Sequence, residues 1–357
     1  MKIVHMLALG GAGGIETLCV EIAKHSHDEN HFYFMWGGGE NAEKIKSITH
    51  NVVIRAFSLK KFRSEYKFFK KYCVDNKIDC VMVQGMSPAM LLFAAFIKQE
   101  IPTIKFISYI HANADELFKI KKQKVIFKYA YKYVDGCIAI SDSVNKSIKD
   151  ICGDNSKVYT IYNGVDVDKF IYTKRENVNI PPKLIFVGRL ISQKGVSLLI
   201  RALGLLKMDC ELHIIGDGPE RGELESLTKE LNLQSKVYFA GTQWDINERL
   251  QNSDIFVHSA VCNEGFGLTL IEAMATGVPC IAFNKGAIPE IIQNNVNGFL
   301  VDEINSENLS VKIDEVIKIM TEQPELWAEI CCEARKRAEF FNIRKYVEEL
   351  SLYIQKI

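Results

Sequence analysis

Two glutamates eight residues apart, Glu264 and Glu272, flank a glycine-rich loop that leads into a predicted helix beginning at Leu268. If every step between them were helical, the two carboxylates would lie roughly 12 Å apart. A ligand with hydroxyl pairs at both ends, such as a nucleotide sugar, has this span. The N–H groups of residues 267–269 would face an anion between them. Glutamates at this spacing also occur by chance, and the glycine loop is what favours a ligand site.

A second candidate group is cationic. Arg189 and Lys194 lie five residues apart at a predicted strand-to-helix turn. Arginine offers a bidentate fork and lysine a mobile point charge, so the two could hold a diphosphate from two sides. The alternative is a pair of ordinary surface cations.

Two further features follow predicted strands in the first half of the chain. Gly13 and Gly14 belong to a glycine run that opens a helix, where backbone N–H groups can approach a phosphate. The run departs from the dinucleotide fingerprint because Glu16 takes the place of the third glycine, and a tight turn without a ligand is the alternative. His111 would place an imidazole at the mouth of the first domain, although a lone histidine is more often structural.

Short apolar strands alternate with helix-length segments along most of the chain, which is typical of a parallel sheet covered by helices on both faces. The first series of predicted strands is 3–8, 32–36, 52–57, 80–84, 103–108, 137–140 and 158–162. The second series is 184–187, 212–215, 237–240, 255–258 and 278–283, after which the pattern is helical to the end.

The polar stretch that ends in Pro181 and Pro182 separates the two series. We therefore predict a first Rossmann-like domain at 1–166, a linker at 167–182, a second Rossmann-like domain at 183–342 and a final helix at 343–357. Such α/β domains bind ligands beyond the carboxyl ends of their strands, and two facing crevices would form a central cleft.

The composition fits a globular protein. The chain has 357 residues, of which 48% are hydrophobic and 25% charged, which excludes a single small module and a disordered or fibrous chain. Ten cysteines without a C-x-x-C pair argue against a zinc site or a disulfide scaffold. We expect them to be mostly reduced and buried, as in a cytoplasmic protein.

The charge is divided unevenly between the halves. Residues 1–170 hold 24 Lys and Arg against 18 Asp and Glu, and the remainder holds 20 against 26. The cations cluster with aromatic residues in 60–72 and 119–132, which suits an anionic membrane surface at least as well as nucleic acid. The alternative is a solvated helix face whose aromatics point into the core. The uncharged stretch 80–97 is interrupted by Gly85 and Pro88, so it predicts strand, turn and helix rather than a membrane span. The apolar run 3–9 is short for a signal-peptide core and has no clear cleavage site after it, so we expect no export.

Five motifs taken together resemble the retaining glycosyltransferases of family 4, in that family's order along nearly the whole chain. They are GGAGGIET near the start, NGVD at 163–166, FVGRLISQKG at 186–195, IIGDGPE at 214–220 and EGFGLTLIE at 264–272. The resemblance implies the GT-B fold, with the final helix crossing back to the first domain. One departure is Lys285 before Gly286, where many members carry two glycines, so the local loop geometry needs testing.

The same resemblance implies roles for individual residues. Arg189 and Lys194 would hold the donor diphosphate, Glu272 the ribose hydroxyls, and Glu264 would face the transferred sugar with His111 beside it. The implied donor-binding set is Gly13, Gly14, Arg189, Lys194, Glu264, Phe266, Gly267, Leu268, Thr269 and Glu272. The implied catalytic set is Glu264, His111, Arg189 and Lys194.

We therefore expect a retaining transferase without a cofactor, in which cations and a helix N-terminus stabilise the departing diphosphate and no metal is required. UDP is favoured as the donor's nucleotide, with GDP next. The expected acceptor is a glycan or lipid-linked glycan of bacterial surface polysaccharide assembly, such as O-antigen or capsule, handled in the cytoplasm or at the inner face of the membrane, and no nucleic acid partner is expected. The alternatives are a nucleotide-sugar epimerase of the same fold and a non-catalytic nucleotide-binding subunit.

Overall fold

The computed structural model describes residues 1–11, 13–117, 121–153, 157–172, 179–243 and 245–357, with the backbone alone at 115 and 116. The chain divides into two compact units. The first comprises Met1–Gly164 together with Ile343–Ile357, and the second comprises Val165–Asn342. The unit boundary falls just before the linker predicted at 167–182, of which residues 173–178 lie outside the described part.

The first unit is a parallel sheet with helices between its strands. Its strands are β1 (Lys2–Leu7), β2 (Glu29–Phe34), β3 (Val52–Ile54), β4 (Cys80–Gln84), β5 (Lys105–Ile110), β6 (Gly136–Ala139) and β7 (Val158–Thr160). Its helices within the first segment are α1 (Gly14–His25), α2 (Glu40–Ile48), α3 (Phe62–Asp75), α4 (Pro88–Glu100), α5 (Ala114–Leu117), α6 (Lys121–Tyr131) and α7 (Asp142–Cys152).

The order of strands in the first sheet is β3-β2-β1-β4-β5-β6-β7, and all neighbours are parallel. The central strands are buried on both faces, which explains why β4 is apolar along almost its whole length. The chain leaves β1 towards one edge and later returns to β4 to build the other edge. The crevice beyond the carboxyl ends of β1 and β4 is therefore the switch point at which doubly wound sheets bind ligands.

The second unit repeats this architecture. Its strands are β8 (Lys183–Val187), β9 (Glu211–Ile215), β10 (Val237–Gly241), β11 (Ile255–His258), β12 (Cys280–Phe283) and β13 (Gly298–Val301). Its helices are α8 (Val196–Leu205), α9 (Arg221–Glu230), α10 (Asn247–Gln251), α11 (Leu268–Ala275), α12 (Ile288–Ile291), α13 (Ser306–Glu322) and α14 (Pro324–Phe340), and the last helix, α15 (Ile343–Lys356), belongs to the first unit.

The second sheet has the order β10-β9-β8-β11-β12-β13, again parallel, with its switch point between β8 and β11. Two Rossmann-like α/β units confirm the predicted fold class. One strand differs from the prediction: β13 begins at Gly298, within the region after residue 283 where the pattern predicts helix. β13 has only four residues, too few for a clear strand pattern, and its hydrogen bonds to the neighbouring strand β12 stabilise it.

The two basic segments are helices that pack against the same neighbour, since α3 and α6 both contact α4. Their aromatic residues divide between core and surface: Phe69 and Phe127 are fully buried, whereas Phe68 is 40% exposed beneath the guanidinium of Arg55. Residues 119 and 120 of the second segment lie outside the described part. Among the described residues, no helix combines the length and apolar character needed to cross a membrane. All ten cysteines lie in the described part, none of them forms a disulfide, and most are buried.

Candidate active site

The loops that follow β8 and β11 carry the candidate residues of the second unit. Arg189 comes two residues after the end of β8, and Lys194 ends the short 3-10 turn Ser192–Lys194 in the same loop. His258 is the last residue of β11, and Glu264 lies in the loop that it opens. Since β8 and β11 are neighbours, these two loops emerge side by side at the switch point of the sheet.

Gly195 allows the two loops to come into contact. It adopts a left-handed conformation (φ 62°), and a Cβ at this position would lie 2.2 Å from the carbonyl oxygen of Ser259. The Ser259 hydroxyl donates a hydrogen bond of 2.9 Å to the carbonyl oxygen of Lys194, and the Val261 N–H donates one of the same length to the carbonyl of Gln193. The loops are thus joined directly beside the Lys194 side chain.

The joined loops bring Lys194 and Glu264 into an ion pair. The ammonium Nζ donates a hydrogen bond of 2.7 Å to Oε2 of Glu264, and both side chains are about one-fifth exposed. Burial by itself would raise the pKa of Glu264, but the charge of Lys194 outweighs it together with the smaller effects of His258, the Lys194 hydrogen bond and Arg189, and these hold the pKa below the usual value. Glu264 is therefore a carboxylate at neutral pH.

His258 is a further neighbour of Glu264, with Nε2 3.7 Å from Oε2 of the carboxylate. It is 3% exposed, and burial lowers its pKa to about 4. The imidazole is therefore neutral near pH 7, so the charges that hold Glu264 ionised there are those of Lys194 and Arg189. Arg189 itself is exposed, and within the described residues its guanidinium has no hydrogen bond or ion pair.

The loop after β12 supports the backbone of Glu264. Gly286 is left-handed (φ 61°), and a Cβ there would lie 2.6 Å from the Glu264 carbonyl oxygen. The N–H of Ala287 donates a hydrogen bond of 3.0 Å to that same oxygen. Lys285 donates through Nζ to the carbonyl oxygen of Val261 at 2.8 Å. The required glycine is present at 286, and the lysine before it ties this loop to the one that carries Glu264.

Helix α11 begins at Leu268, as the sequence predicts, and Gly267 precedes it in a left-handed conformation (φ 107°). The first N–H groups of the helix, which include those of Leu268 and Thr269, have no acceptor within the helix and carry its positive dipole end. The Phe266 ring is buried edge-to-face against Phe341, so only its backbone is available to a ligand. As predicted, Glu264 precedes the helix and Glu272 lies within it; four of the eight steps between them lie in the loop, so the distance of roughly 12 Å for an entirely helical path does not apply.

Glu272 lies in the second turn of α11 and is half-buried. Burial raises its pKa to about 7, and the charge of Lys169 only partly offsets this effect. The carboxyl group is thus divided between its neutral and ionised forms near neutral pH. A ligand whose hydroxyl groups donate to it would favour the ionised form.

In the first unit, Gly13 and Gly14 are exposed at the start of α1. Residue 12, which precedes them in the glycine run, lies outside the described part. A Cβ on Gly13 would lie 2.3 Å from Oε2 of Glu16, so the absence of a side chain lets this carboxylate fold over the helix N-terminus. The N–H of Thr17 donates to the Gly13 carbonyl at 2.9 Å.

His111 follows β5 directly and is partly exposed. Its ring lies 4.4 Å from that of Tyr109, centroid to centroid, and its Nε2 is 2.7 Å from Oε1 of Gln84 at the end of β4. Burial lowers the pKa of His111 to about 3, so the imidazole is neutral at physiological pH. His111 belongs to the first unit, and Glu264 and Lys194 belong to the second.

Of the predicted residues, the second unit brings Lys194 into contact with Glu264 and places the charge of Arg189 near enough to lower the pKa of that carboxylate, in the loops that precede α8 and α11. His258 and Lys285 were not predicted as site residues. His258 could have been predicted, because it is the last residue of the strand that precedes the loop of Glu264. Lys285 could not, because only the packing of its loop shows its contact with the Val261 carbonyl.

Two successive parallel-sheet units with charged residues at the switch point of the second sheet are the arrangement expected of a two-domain α/β glycosyltransferase. A solved structure, the Anabaena protein HepE in complex with UDP, has the same fold: its TM-score is 0.89 and its sequence identity 20%, with 100% of both chains covered.

The chain belongs to the group 1 glycosyltransferases, in their family 4 branch. Residues 12–169 match the model of Glycosyltransferase Family 4, and residues 168–330 match that of Glycosyl transferases group 1. An Escherichia coli UDP-Gal:alpha-D-GlcNAc-diphosphoundecaprenol alpha-1,3-galactosyltransferase is 28% identical over 84% of this chain and 80% of its own. The N-acetyl-alpha-D-glucosaminyl L-malate synthase of Bacillus anthracis is 28% identical over 56% of this chain and 53% of its own. The protein is thus a sugar-transferring enzyme.

Proposed function

We propose that this enzyme moves a hexosyl group from a UDP-sugar to a glycan or lipid-linked glycan, with retention of configuration and without a metal ion. The observation that carries the proposal is the Lys194–Glu264 ion pair beside the N-terminus of α11. This arrangement offers cations and backbone donors to a diphosphate and a carboxylate to the attached sugar.

The chemistry of this site supports a nucleotide-sugar donor. Arg189, with no partner in the described residues, and Lys194 would bind the diphosphate. Glu272 would accept hydrogen bonds from the ribose hydroxyls, and Glu264 would face the sugar. The UDP in the HepE structure and the UDP-galactose used by the E. coli relative support uridine as the base.

The reaction breaks the bond between the sugar's anomeric carbon and the diphosphate oxygen, which leaves negative charge on that oxygen. Arg189, Lys194 and the first N–H groups of α11 are set to stabilise this charge as it develops. The acceptor hydroxyl would attack from the face that the diphosphate leaves, and its proton would pass to the leaving phosphate oxygen. The configuration of the anomeric carbon is then retained.

The enzyme would need no metal ion, because two side-chain cations and a helix dipole supply the positive charge that stabilises the leaving diphosphate. The test is transfer activity after treatment with EDTA. Undiminished turnover supports the proposal, whereas loss of turnover that added Mg²⁺ or Mn²⁺ restores would contradict it.

A lipid-linked acceptor at an anionic membrane surface is favoured by the first unit. Leu59 before α3 is 78% exposed and Val125 on α6 is 67% exposed, and exposed lysines accompany both. Basic helices with exposed apolar residues bind the headgroup region of anionic bilayers. The E. coli relative, which acts on a diphosphoundecaprenol-linked sugar, supports the same acceptor class.

Co-sedimentation with vesicles of anionic lipid at low salt tests this membrane contact. We expect binding that a Lys60→Glu/Lys61→Glu double variant weakens. A Lys318→Glu variant, which changes an exposed lysine of α13 in the second unit, serves as the control and should bind normally. No binding of the unaltered protein would refute the membrane contact without affecting the donor assignment.

Transfer itself is tested by screening nucleotide sugars, first by thermal shift and then with lipid-linked and free glycan acceptors. A donor that binds the native state raises the unfolding temperature. Each donor is also incubated without an acceptor and followed by NMR. Formation of an epimer under these conditions, with no transfer when acceptor is added, would overturn the proposal in favour of a nucleotide-sugar epimerase.

A further inference from the structure

A line of buried polar side chains runs through the sheet of the first unit to His111. From His111, the hydrogen bonds pass to Gln84 at the end of β4, then to His5 within β1, and then to Asn30 in β2. The three inner residues are 3%, 0% and 8% exposed, respectively. Three polar side chains in adjacent parallel strands, where apolar residues are usual, and a fourth directly after the next strand require a reason.

The direction of every bond in this line is fixed at its inner end. The Nδ2 amide of Asn30 donates to the carbonyl oxygen of Asp28 at 2.9 Å, so its Oδ1 faces His5. An amide oxygen can only accept, and the His5 Nε2 that lies 2.8 Å away must therefore carry a proton.

The proton position on His5 in turn fixes the orientation of the Gln84 amide. Burial keeps His5 neutral, so with a proton on Nε2 its Nδ1 is an acceptor. The Gln84 amide donates to that Nδ1 through Nε2 at 2.9 Å and also lies 3.2 Å from the sulfur of Met82. Its Oε1 is thereby turned towards His111.

Gln84 Oε1 lies 2.7 Å from His111 Nε2 and requires a donor there. His111, which burial also keeps neutral, thus carries its proton on Nε2 and leaves Nδ1 as an acceptor. Among the described residues, no group hydrogen-bonds this Nδ1. The His5 ring stacks on Phe32, and the His111 ring lies tilted against Tyr109 with 4.4 Å between the ring centroids; both contacts restrict reorientation of the imidazoles.

We propose that Gln84, His5 and Asn30 are positioning residues that fix the Nε2–H tautomer of His111, so that its Nδ1 is presented as a hydrogen-bond acceptor to a hydroxyl group of the sugar substrate. The role of the hydroxyl rests on the proposed function. The tautomer itself does not, because it follows from the hydrogen bonds of the first unit alone.

Long-range ¹H–¹⁵N NMR of the histidine rings tests the tautomer directly in the full-length protein. The His111 signals, among those of eight histidines, are assigned by their loss in a His111→Asn variant. We expect protonated Nε2 and unprotonated Nδ1 in His111 and in His5. A proton on Nδ1 of His111 would overturn the proposal, whatever the activity of the enzyme.

The variant Gln84→Met tests the positioning role, because it keeps an unbranched side chain but removes the amide. We expect His111 to become a mixture of tautomers and kcat/KM for transfer to fall by about three- to tenfold, as for one lost hydrogen bond. Met82→Leu is the matched control, since it removes only the sulfur contact of Gln84 in the same strand, and its tautomers and turnover should be unchanged.

If Gln84→Met does not fold, His5→Phe provides the same test one link further in, because a phenyl ring can keep the stacking on Phe32. If either variant unfolds at the same temperature as the unaltered protein and its His111 tautomer is unchanged, the replaced residue does not set the tautomer and the proposal is overturned. An unaltered protein that transfers no sugar but shows the expected tautomer would instead count against the proposed function and leave the positioning chain in place.

Discussion

Nζ of Lys194 lies 2.7 Å from Oε2 of Glu264, although the two residues are 70 positions apart in the chain. The contact joins the loop after β8 to the loop after β11. A diphosphate that binds to Lys194 would share this ammonium with the carboxylate, so the pair holds the lysine in place before a ligand arrives. The cost of ordering its flexible side chain is then met in folding rather than in binding.

Replacement of Lys194 by methionine should reduce kcat/KM for transfer by about 10²- to 10³-fold, as when a preplaced group loses contact with developing charge. We also expect a loss of about 1–2 kcal/mol in the free energy of unfolding, because Glu264 is left without its main partner in a largely buried position. Steady-state kinetics and urea unfolding measure the two effects.

The matched control for that variant is Lys236→Met. Lys236 forms an ion pair with Asp209 at 2.6 Å, but both side chains are well exposed and the residue precedes β10 at the opposite end of the strands. Its loss should change activity and stability little. Equal effects of the two variants would show that the Lys194–Glu264 contact has no special role.

The ionisation of Glu272 predicts a pH-dependent affinity for the donor. Burial raises the pKa of the free enzyme's carboxyl to about 7, and ribose hydroxyls would hydrogen-bond to its ionised form. Affinity should therefore rise by about tenfold per pH unit below that pKa and level off above it. Calorimetric titration with UDP across this range measures the profile.

Glu272→Gln provides the control for this profile, since the amide is uncharged at every pH. Its UDP affinity should be lower above pH 7 and flat through the same range. Folding stability gives an independent check of sign: a raised pKa in the folded state means stability that is lost as the pH rises through about 7, and the glutamine variant should lack that loss. An unchanged slope in the variant would assign the titration to another group.

Gly195→Ala should lower the free energy of unfolding by about 2–4 kcal/mol and disturb transfer as well. A left-handed backbone and a Cβ 2.2 Å from the Ser259 carbonyl would force apart the loops that hold Lys194. Gly222→Ala in α9 is the control, because nothing lies within 4 Å of its added methyl group and alanine favours a helix. Equal stability in the two variants would contradict the packing argument.

Arg189 should contribute mainly to donor binding and only slightly to stability, since its side chain is exposed, has no ion pair in the described residues and has the smallest of the effects that lower the pKa of Glu264. Arg189→Ala should weaken UDP affinity by about 1–3 kcal/mol with little change in the unfolding midpoint. Arg189→Lys should recover only part of the affinity, because an ammonium cannot form the bidentate contact. Wild-type affinity in the alanine variant would remove Arg189 from the diphosphate site.

The sequence by itself determined the class of fold and the regions of the site. Apolar runs such as those of β4 and β11 are predicted at their observed bounds, because a strand buried on both faces must be apolar throughout. The start of α11 at Leu268 was equally predictable, since Gly267 before it allows the left-handed conformation found there. Strand bounds and helix starts of this kind depend on neighbouring residues in the chain, so the local sequence is enough to predict them.

Only the tertiary structure decided which side chains meet. The pairing of Lys194 with Glu264, the neutral His258 beside it and the direction of the hydrogen bonds from Asn30 to His111 all join segments distant in the chain. Strand β13 belongs with them, because its partner strand rather than its own residues stabilises it. Sheet pairing brings these segments together, burial and neighbouring charges then set their ionisation, and hydrogen bonds between distant segments set the tautomers, so none of these effects can be read from local sequence.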